Sequence, residues 1–333
     1  MILDPQIAGL IGALDAGFPP VHTMTGAEAR AAIRSRFVAP TAPEGVGEVR
    51  DVSVRGRAAD IPVRIYRPAS MPGPVPTVVY AHGGGFVFCD LDSHDGLCRS
   101  FTNLTPAVVV SVAYRLAPED RWPAAAEDVF AVTQWAARNA DALGGDASRI
   151  VVGGDSAGGN LAAVTALMAR DTGAPALAAQ LLLYPMIAPK FDTESYRAFG
   201  KGFYNPAVAL QWYWDQYVPS RSDREHPYAS PLSADLRGLP PSVVVIASHD
   251  PLRDEGIAFA NELEAAGVPT VQCRYDGGIH GFMTMPMLDL AHRARVEACE
   301  GLSGLWSAAP GQRDAALSVT SSGAFSQRDP IDH

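Results

Sequence analysis

The chain runs to 333 residues, 47% of them hydrophobic, with a mean hydropathy of +0.04 and a formal net charge of −10. That length allows one large domain with an insertion, or two domains, around a sizeable core. The acidic balance, with no block of Lys/Arg to track phosphates, predicts no nucleic-acid partner, and apolar runs no longer than a strand predict no membrane anchor.

The start, Met1-Ile2-Leu3-Asp4-Pro5, lacks the basic opening of a signal peptide, so a cytoplasmic location is expected. Residues 5–17 and 25–38 carry helical patterning, with Thr25 as N-cap and Pro40 as stop. Residues 49–54 and 61–66 alternate as half-buried strands about a turn at Gly56. The pattern then changes to short β-branched or leucine-rich runs at 77–81, 108–112, 150–152, 180–183, 243–247 and 270–274, which read as strands buried on both faces. Helical segments at 94–104, 124–139, 157–171, 253–267 and 287–306 separate most of them. This alternation predicts an α/β fold: a mostly parallel, eight-stranded sheet flanked by helices. Two regions break the rhythm, the N-terminal stretch to about residue 45 and the span 185–241, where Trp212, Tyr213, Trp214 and Tyr217 share a predicted helix. Together these suit a lid over the carboxyl edge of the sheet, or a helical ornament whose rings only fill core. From residue 308 the chain is Ser/Gly/Ala-rich, and a weakly ordered tail is expected.

Gly154-Asp155-Ser156-Ala157-Gly158 follows the strand at 150–152 and opens the helix at 157–171. Strand, G-x-S-x-G, helix describes a nucleophile elbow, with the serine hydroxyl on a sharp strained turn. A Cβ at 154 or 158 is expected to collide with the neighbouring strand or helix. The same five residues would also serve an ordinary glycine-rich turn, so the weight falls on the rest of the chain.

A serine nucleophile needs a base, a carboxylate to orient that base, and donors for an oxyanion. Of eight histidines, His280, in the loop Gly277-Gly278-Ile279-His280-Gly281-Phe282 after the last strand, is the candidate base. Asp250 follows the strand at 243–247 and is the candidate acid; His249 beside it is a second histidine of interest. Asp254 and Glu255 compete but fall in a first helical turn, where acids commonly stabilise the helix end, and Asp276 is a further competitor. His82-Gly83-Gly84-Gly85-Phe86 follows the strand at 77–81, and its main-chain N–H groups, with that of Ala157, suit an oxyanion hole. The chain order Ser156, Asp250, His280 is that of α/β-hydrolases. The only two lysines, Lys190 and Lys201, lie in no phosphate loop, and Cys89, Cys98, Cys273 and Cys299 show no ligand spacing and read as reduced thiols.

With these motifs the sequence resembles the bacterial hormone-sensitive-lipase family of α/β-hydrolase esterases over roughly residues 45–305. Tyr114-Arg115-Leu116-Ala117-Pro118-Glu119, Tyr228-Ala229-Ser230-Pro231-Leu232 and Asp250-Pro251-Leu252-Arg253-Asp254-Glu255 carry the resemblance further. It implies a carboxylesterase without a cofactor, acting on small-molecule esters. Ser156, Asp250 and His280 would form its triad, and the N–H groups of Gly84, Gly85 and Ala157 its oxyanion hole. Arg115 and Glu119 would be scaffold. The implied division is 1–45 as the N-terminal part of a helical cap, 46–185 and 241–307 as the hydrolase core, 186–240 as the cap insertion and 308–333 as a tail. A homodimer through the strand near 270–274 would fit the family. Three departures stand out: Gly278 where a larger residue is usual, which would widen the pocket or loosen the histidine loop; His249 beside the acid; and the tail. Short- to medium-chain acyl esters are the expected substrates, with amide, lactone or carbamate hydrolysis as the alternative. A non-catalytic binding protein on the same fold is the remote one.

Overall fold

Eight runs with strand patterning pair into one sheet in the computed structural model, which describes residues 2–307. In chain order they are β1 (Glu48–Arg55), β2 (Asp60–Arg67), β3 (Val75–Ala81), β4 (Val108–Val112), β5 (Gly145–Asp155), β6 (Ala179–Leu183), β7 (Ser242–His249) and β8 (Thr270–Ile279). Their spatial order is β1-β2-β4-β3-β5-β6-β7-β8. β1–β2 and β2–β4 are antiparallel and the remaining pairs parallel. Every residue of β3, β4, β6 and β7 is buried, as strands covered on both faces must be.

The helices are α1 (Pro5–Gly17), α2 (Gly26–Arg34), α3 (Asp95–Leu104), α4 (Ala124–Arg138), α5 (Ala140–Leu143), α6 (Ala157–Thr172), α7 (Glu194–Phe199), α8 (Ala207–Tyr217), α9 (Arg253–Ala265) and α10 (Asp289–Ser307). α3 and α10 cover one face, while α4, α6 and α9 cover the other. Period-two alternation in β3 feeds both layers: Val78 and Tyr80 join the α3/α10 core, Val79 and Ala81 the α4/α6 core.

Three expected elements differ in extent. α2 stops at Arg34, well short of Pro40: Thr25 and Glu28 form a reciprocal cap at its start, but at its end the Ser35 hydroxyl donates to Ala32 O. Arg34 itself is drawn out to Asp90 and Asp92. β5 extends from Gly145 to Asp155, beyond the apolar 150–152: Gly145 pairs with Val75 of β3, and Gly153 and Gly154 continue the ladder opposite Leu181 and Leu182 of β6, where a Cβ on Gly153 would lie 3.2 Å from the Leu181 side chain. β8 likewise continues through Gly277 and Gly278, so His280 directly follows a strand end. The tail at 308–333 lies outside the described residues.

The span after β6 is tied down at both of its ends. Asn160, in the first turn of α6, donates to Met186 O and Ala229 O, both at 2.9 Å, and Trp122 Nε1 donates to Tyr228 O at 2.9 Å. α8 lies on the loop after β3: Phe86 stacks on Tyr217 with centroids 3.8 Å apart, and Phe88 meets Tyr213 edge-on. Its aromatic rings therefore fill core and cover that loop at once.

Candidate active site

β5 delivers Ser156 and α6 carries the chain away, leaving the serine at φ 55° and ψ −117°. A non-glycine residue holds such backbone geometry only where its surroundings enforce it. Here the Ser156 N–H donates to Leu183 O at 2.9 Å, and its carbonyl accepts from Met186 N at 3.0 Å. The flanking glycines are sterically required. A Cβ on Gly158 would stand 1.9 Å from Ala81 O, and one on Gly154 would stand 2.3 Å from Gly158 O and 2.5 Å from Ala81 O.

His280 and Asp250 reach this turn from the ends of β8 and β7. His280 Nε2 lies 2.9 Å from Ser156 Oγ, and Nδ1 lies 2.8 Å from Asp250 Oδ2. All three side chains are buried, with Asp250 at 0% exposure. The second Asp250 oxygen accepts from Leu252 N at 2.8 Å, which locks the carboxylate plane. The Tyr184 ring meets His280 edge-on at 5.2 Å. Charge that develops on the imidazole therefore finds a fixed carboxylate on its far side.

The glycine loop completes the site. Gly84 and Gly85 sit at φ 109° and 59°, conformations natural to glycine, and a Cβ on Gly85 would strike the Tyr213 ring at 2.4 Å. Gly83 N–H is committed, donating to Asp155 Oδ1 at 2.9 Å. The N–H groups of Gly84, Gly85 and Ala157 have no protein acceptor among the described residues. Asp155 also accepts from Tyr80 OH at 2.8 Å, and His94 Nε2 lies 3.2 Å from the same oxygen. Burial would raise the Asp155 carboxyl, but His94, the Tyr80 hydroxyl and His82 outweigh it and hold its pKa below the usual value. His82 stacks on Tyr114 at 4.3 Å. Burial, reinforced by His94, lowers its pKa to about 4, so its neutral ring donates Nδ1–H to Gly83 O at 2.7 Å.

A family model described as alpha/beta hydrolase fold matches residues 78–284. Carboxylesterase NlhH of Mycobacterium tuberculosis is 40% identical over 291 residues, covering 85% of this chain and 91% of its own. The chain belongs to the hormone-sensitive-lipase family of α/β-hydrolase carboxylesterases. Carboxylic ester hydrolase LipN, also of M. tuberculosis, is 43% identical over 264 residues, which are 77% of this esterase and 70% of LipN. The crystal structure of a hyperthermophilic esterase from the archaeon Pyrobaculum calidifontis superposes with a TM-score of 0.87 at 41% identity, covering 92% of this esterase and 100% of that chain.

The competing residues of this esterase sit elsewhere. Asp254 accepts from Ser195 N at 2.8 Å and pairs with Arg253, and Asp276 is exposed. His249 is buried between the Phe199 and Phe203 rings and beside Ser248. Glu255 is no mere helix-end acid: it is buried, and its Oε1 accepts from Ile187 N at 2.7 Å. Arg115 pairs with Asp128, and Glu119 with Arg30. Gly278 opens no pocket, since a Cβ there would meet Tyr275 O at 3.3 Å and Ala247 at 3.6 Å. The sequence reasoning missed His94, Tyr80 and Asp155 as supports of the glycine loop. The one available signal was an acid directly before the nucleophile, together with a histidine in Asp92-Ser93-His94-Asp95.

Proposed function

We propose that this carboxylesterase works through Ser156 as nucleophile, His280 as general base and then acid, and Asp250 as the carboxylate that sets the imidazole tautomer. The observation that carries this is the continuous hydrogen-bond line from Asp250 through His280 to Ser156, at 2.8 and 2.9 Å. Ser156 Oγ attacks the ester carbonyl as its proton passes to His280 Nε2. The oxygen of the tetrahedral intermediate lies against the N–H groups of Gly84, Gly85 and Ala157. His280 then protonates the leaving alcohol, and water resolves the acyl-enzyme by the same route.

Residues 1–45 and 186–240 act as the cap in this reading, supported by the packing of α8 on the glycine loop. A buried site beneath that aromatic helix favours short- to medium-chain acyl esters, with rates falling beyond about ten carbons. A cytoplasmic location accords with four free cysteines, and the edge position of β8 suits a homodimer contact. Among the described residues no helix is long and apolar enough to cross a membrane.

The test is Ser156→Ala measured against p-nitrophenyl esters of increasing chain length. Hydrolysis should drop by at least about a thousandfold with the circular dichroism spectrum unchanged. A variant that keeps its activity would remove Ser156 from the mechanism.

A further inference from the structure

A cavity of about 900 Å³ lies between the N-terminal segment and α10, within the size range of small-molecule pockets. It is lined not by the triad itself but by the next residues along both active-site loops. Cys89 closes the loop that carries Gly84 and Gly85, and Thr284 and Met285 follow His280. Leu14, Ile33, Phe37 and Met287 contribute apolar wall.

Four arginines also line it, and of these Arg30 is half-buried, Arg34 and Arg36 are exposed, and Arg295 alone is buried. It is only 9% exposed, and its Nε and Nη2 both donate to Met283 O, at 2.9 and 2.5 Å. Among the described residues its Nη1 has no acceptor, and no carboxylate lies within 4.0 Å of the guanidinium. The acids that share the cavity are engaged elsewhere: Asp90 with Arg34, Asp92 with Arg34 and Arg64, and Glu44 with Asn103. A buried cation held only by a carbonyl gains strongly from an anion. Burial also lowers the Arg295 pKa, against the opposing influence of Tyr184, Glu44 and Tyr80, so the charged form is held at a cost.

We propose that this cavity takes the remote, carboxylate-bearing end of the ester, with Arg295 as its counter-ion, so that the enzyme prefers half-esters and other acidic esters over neutral ones. The proposal rests on the esterase reading above and names its substrate class. The apolar wall accommodates a methylene chain, and the guanidinium within it selects a planar, two-oxygen anion.

The experiment compares kcat/KM by pH-stat in two matched series. One sets monoethyl esters of α,ω-dicarboxylic acids from succinate to sebacate against ethyl alkanoates. The other sets acetates of ω-hydroxyalkanoates against n-alkyl acetates. In one series the charged ester should exceed its neutral match, with an optimum at one chain length. Arg295→Gln should cut that advantage about ten- to a hundredfold, and Arg295→Lys should retain more of it. Because Arg295 also holds Met283 O, three residues past His280, the readout is the charged-to-neutral ratio rather than either rate alone. Should the variants fail to fold, the wild-type comparison still decides. Neutral esters cleaved faster at every length in both series would overturn the proposal, as would a charged preference that survives Arg295→Gln. No hydrolysis of any ester, charged or neutral, would overturn the esterase reading and this proposal with it.

Discussion

Asp250 and His82 show how single side chains set the chemistry and its foundation. With Asp250 Oδ2 at 2.8 Å from His280 Nδ1, that nitrogen carries the proton and Nε2 faces Ser156 as the acceptor. In Asp250→Asn the amide can present its NH₂ to Nδ1 and favour the opposite tautomer, so kcat on a short-chain ester should fall about 10⁴-fold with KM little changed. His82 concerns stability instead. Its ring is neutral in the fold, with a pKa of about 4 against 6.5 in an unfolded chain, so unfolding takes up a proton between those values. Stability from this residue is complete above pH 6.5 and is lost as the pH falls toward 4, by up to ~3 kcal/mol. Thermal melts of wild type and His82→Asn from pH 4 to 7 check this: the variant should show the shallower loss on acidification.

At the scale of elements, the site is a convergence of strand ends held by long-range hydrogen bonds. α9 contributes through Glu255, whose Oε1 takes the N–H groups of Ile187 and Ala188 just after β6. Burial pushes this carboxyl well above its ordinary pKa, despite those two donors. The native state therefore holds a proton that the unfolded chain releases above about pH 4.3, and stability falls as the pH rises through that window. Glu255→Gln keeps an acceptor oxygen and removes the titration. It should melt within a degree or two of wild type near pH 5 and increasingly above it as the pH rises. A variant less stable than wild type at both ends would contradict the protonated assignment. These links also explain what the sequence concealed. Ser156, Asp250 and His280 each directly follow a strand end, so local pattern points to the three side chains that the fold brings together. Glu255 looked like a helix-end acid because its partners lie 68 residues upstream, and His94 reaches Asp155 across 61. The glycines that extend β5 and β8 carry no strand propensity; only the proximity of Leu181 and Asp4 shows why they are there.

Across the whole molecule, parallel pairing from β4 through β8 places the carboxyl ends of β3, β5, β7 and β8 along one edge. Those four ends supply the glycine loop, Ser156, Asp250 and His280, the proposed nucleophile, acid and base. The N-terminal helices and the span after β6 are stitched across that edge through Arg30 to Val87 O and Ala117 O, and through Asn160. The sheet thus fixes the proposed reacting groups, and in the proposed reading the covering segments decide which esters reach them. The most direct test is labelling with an alkyl fluorophosphonate, followed by mass spectrometry of the digested protein. A single adduct on Ser156, formed in step with complete loss of ester hydrolysis and absent from Ser156→Ala, is the predicted result. An adduct on any other residue that tracks the loss of activity, or full activity in fully labelled protein, would contradict it.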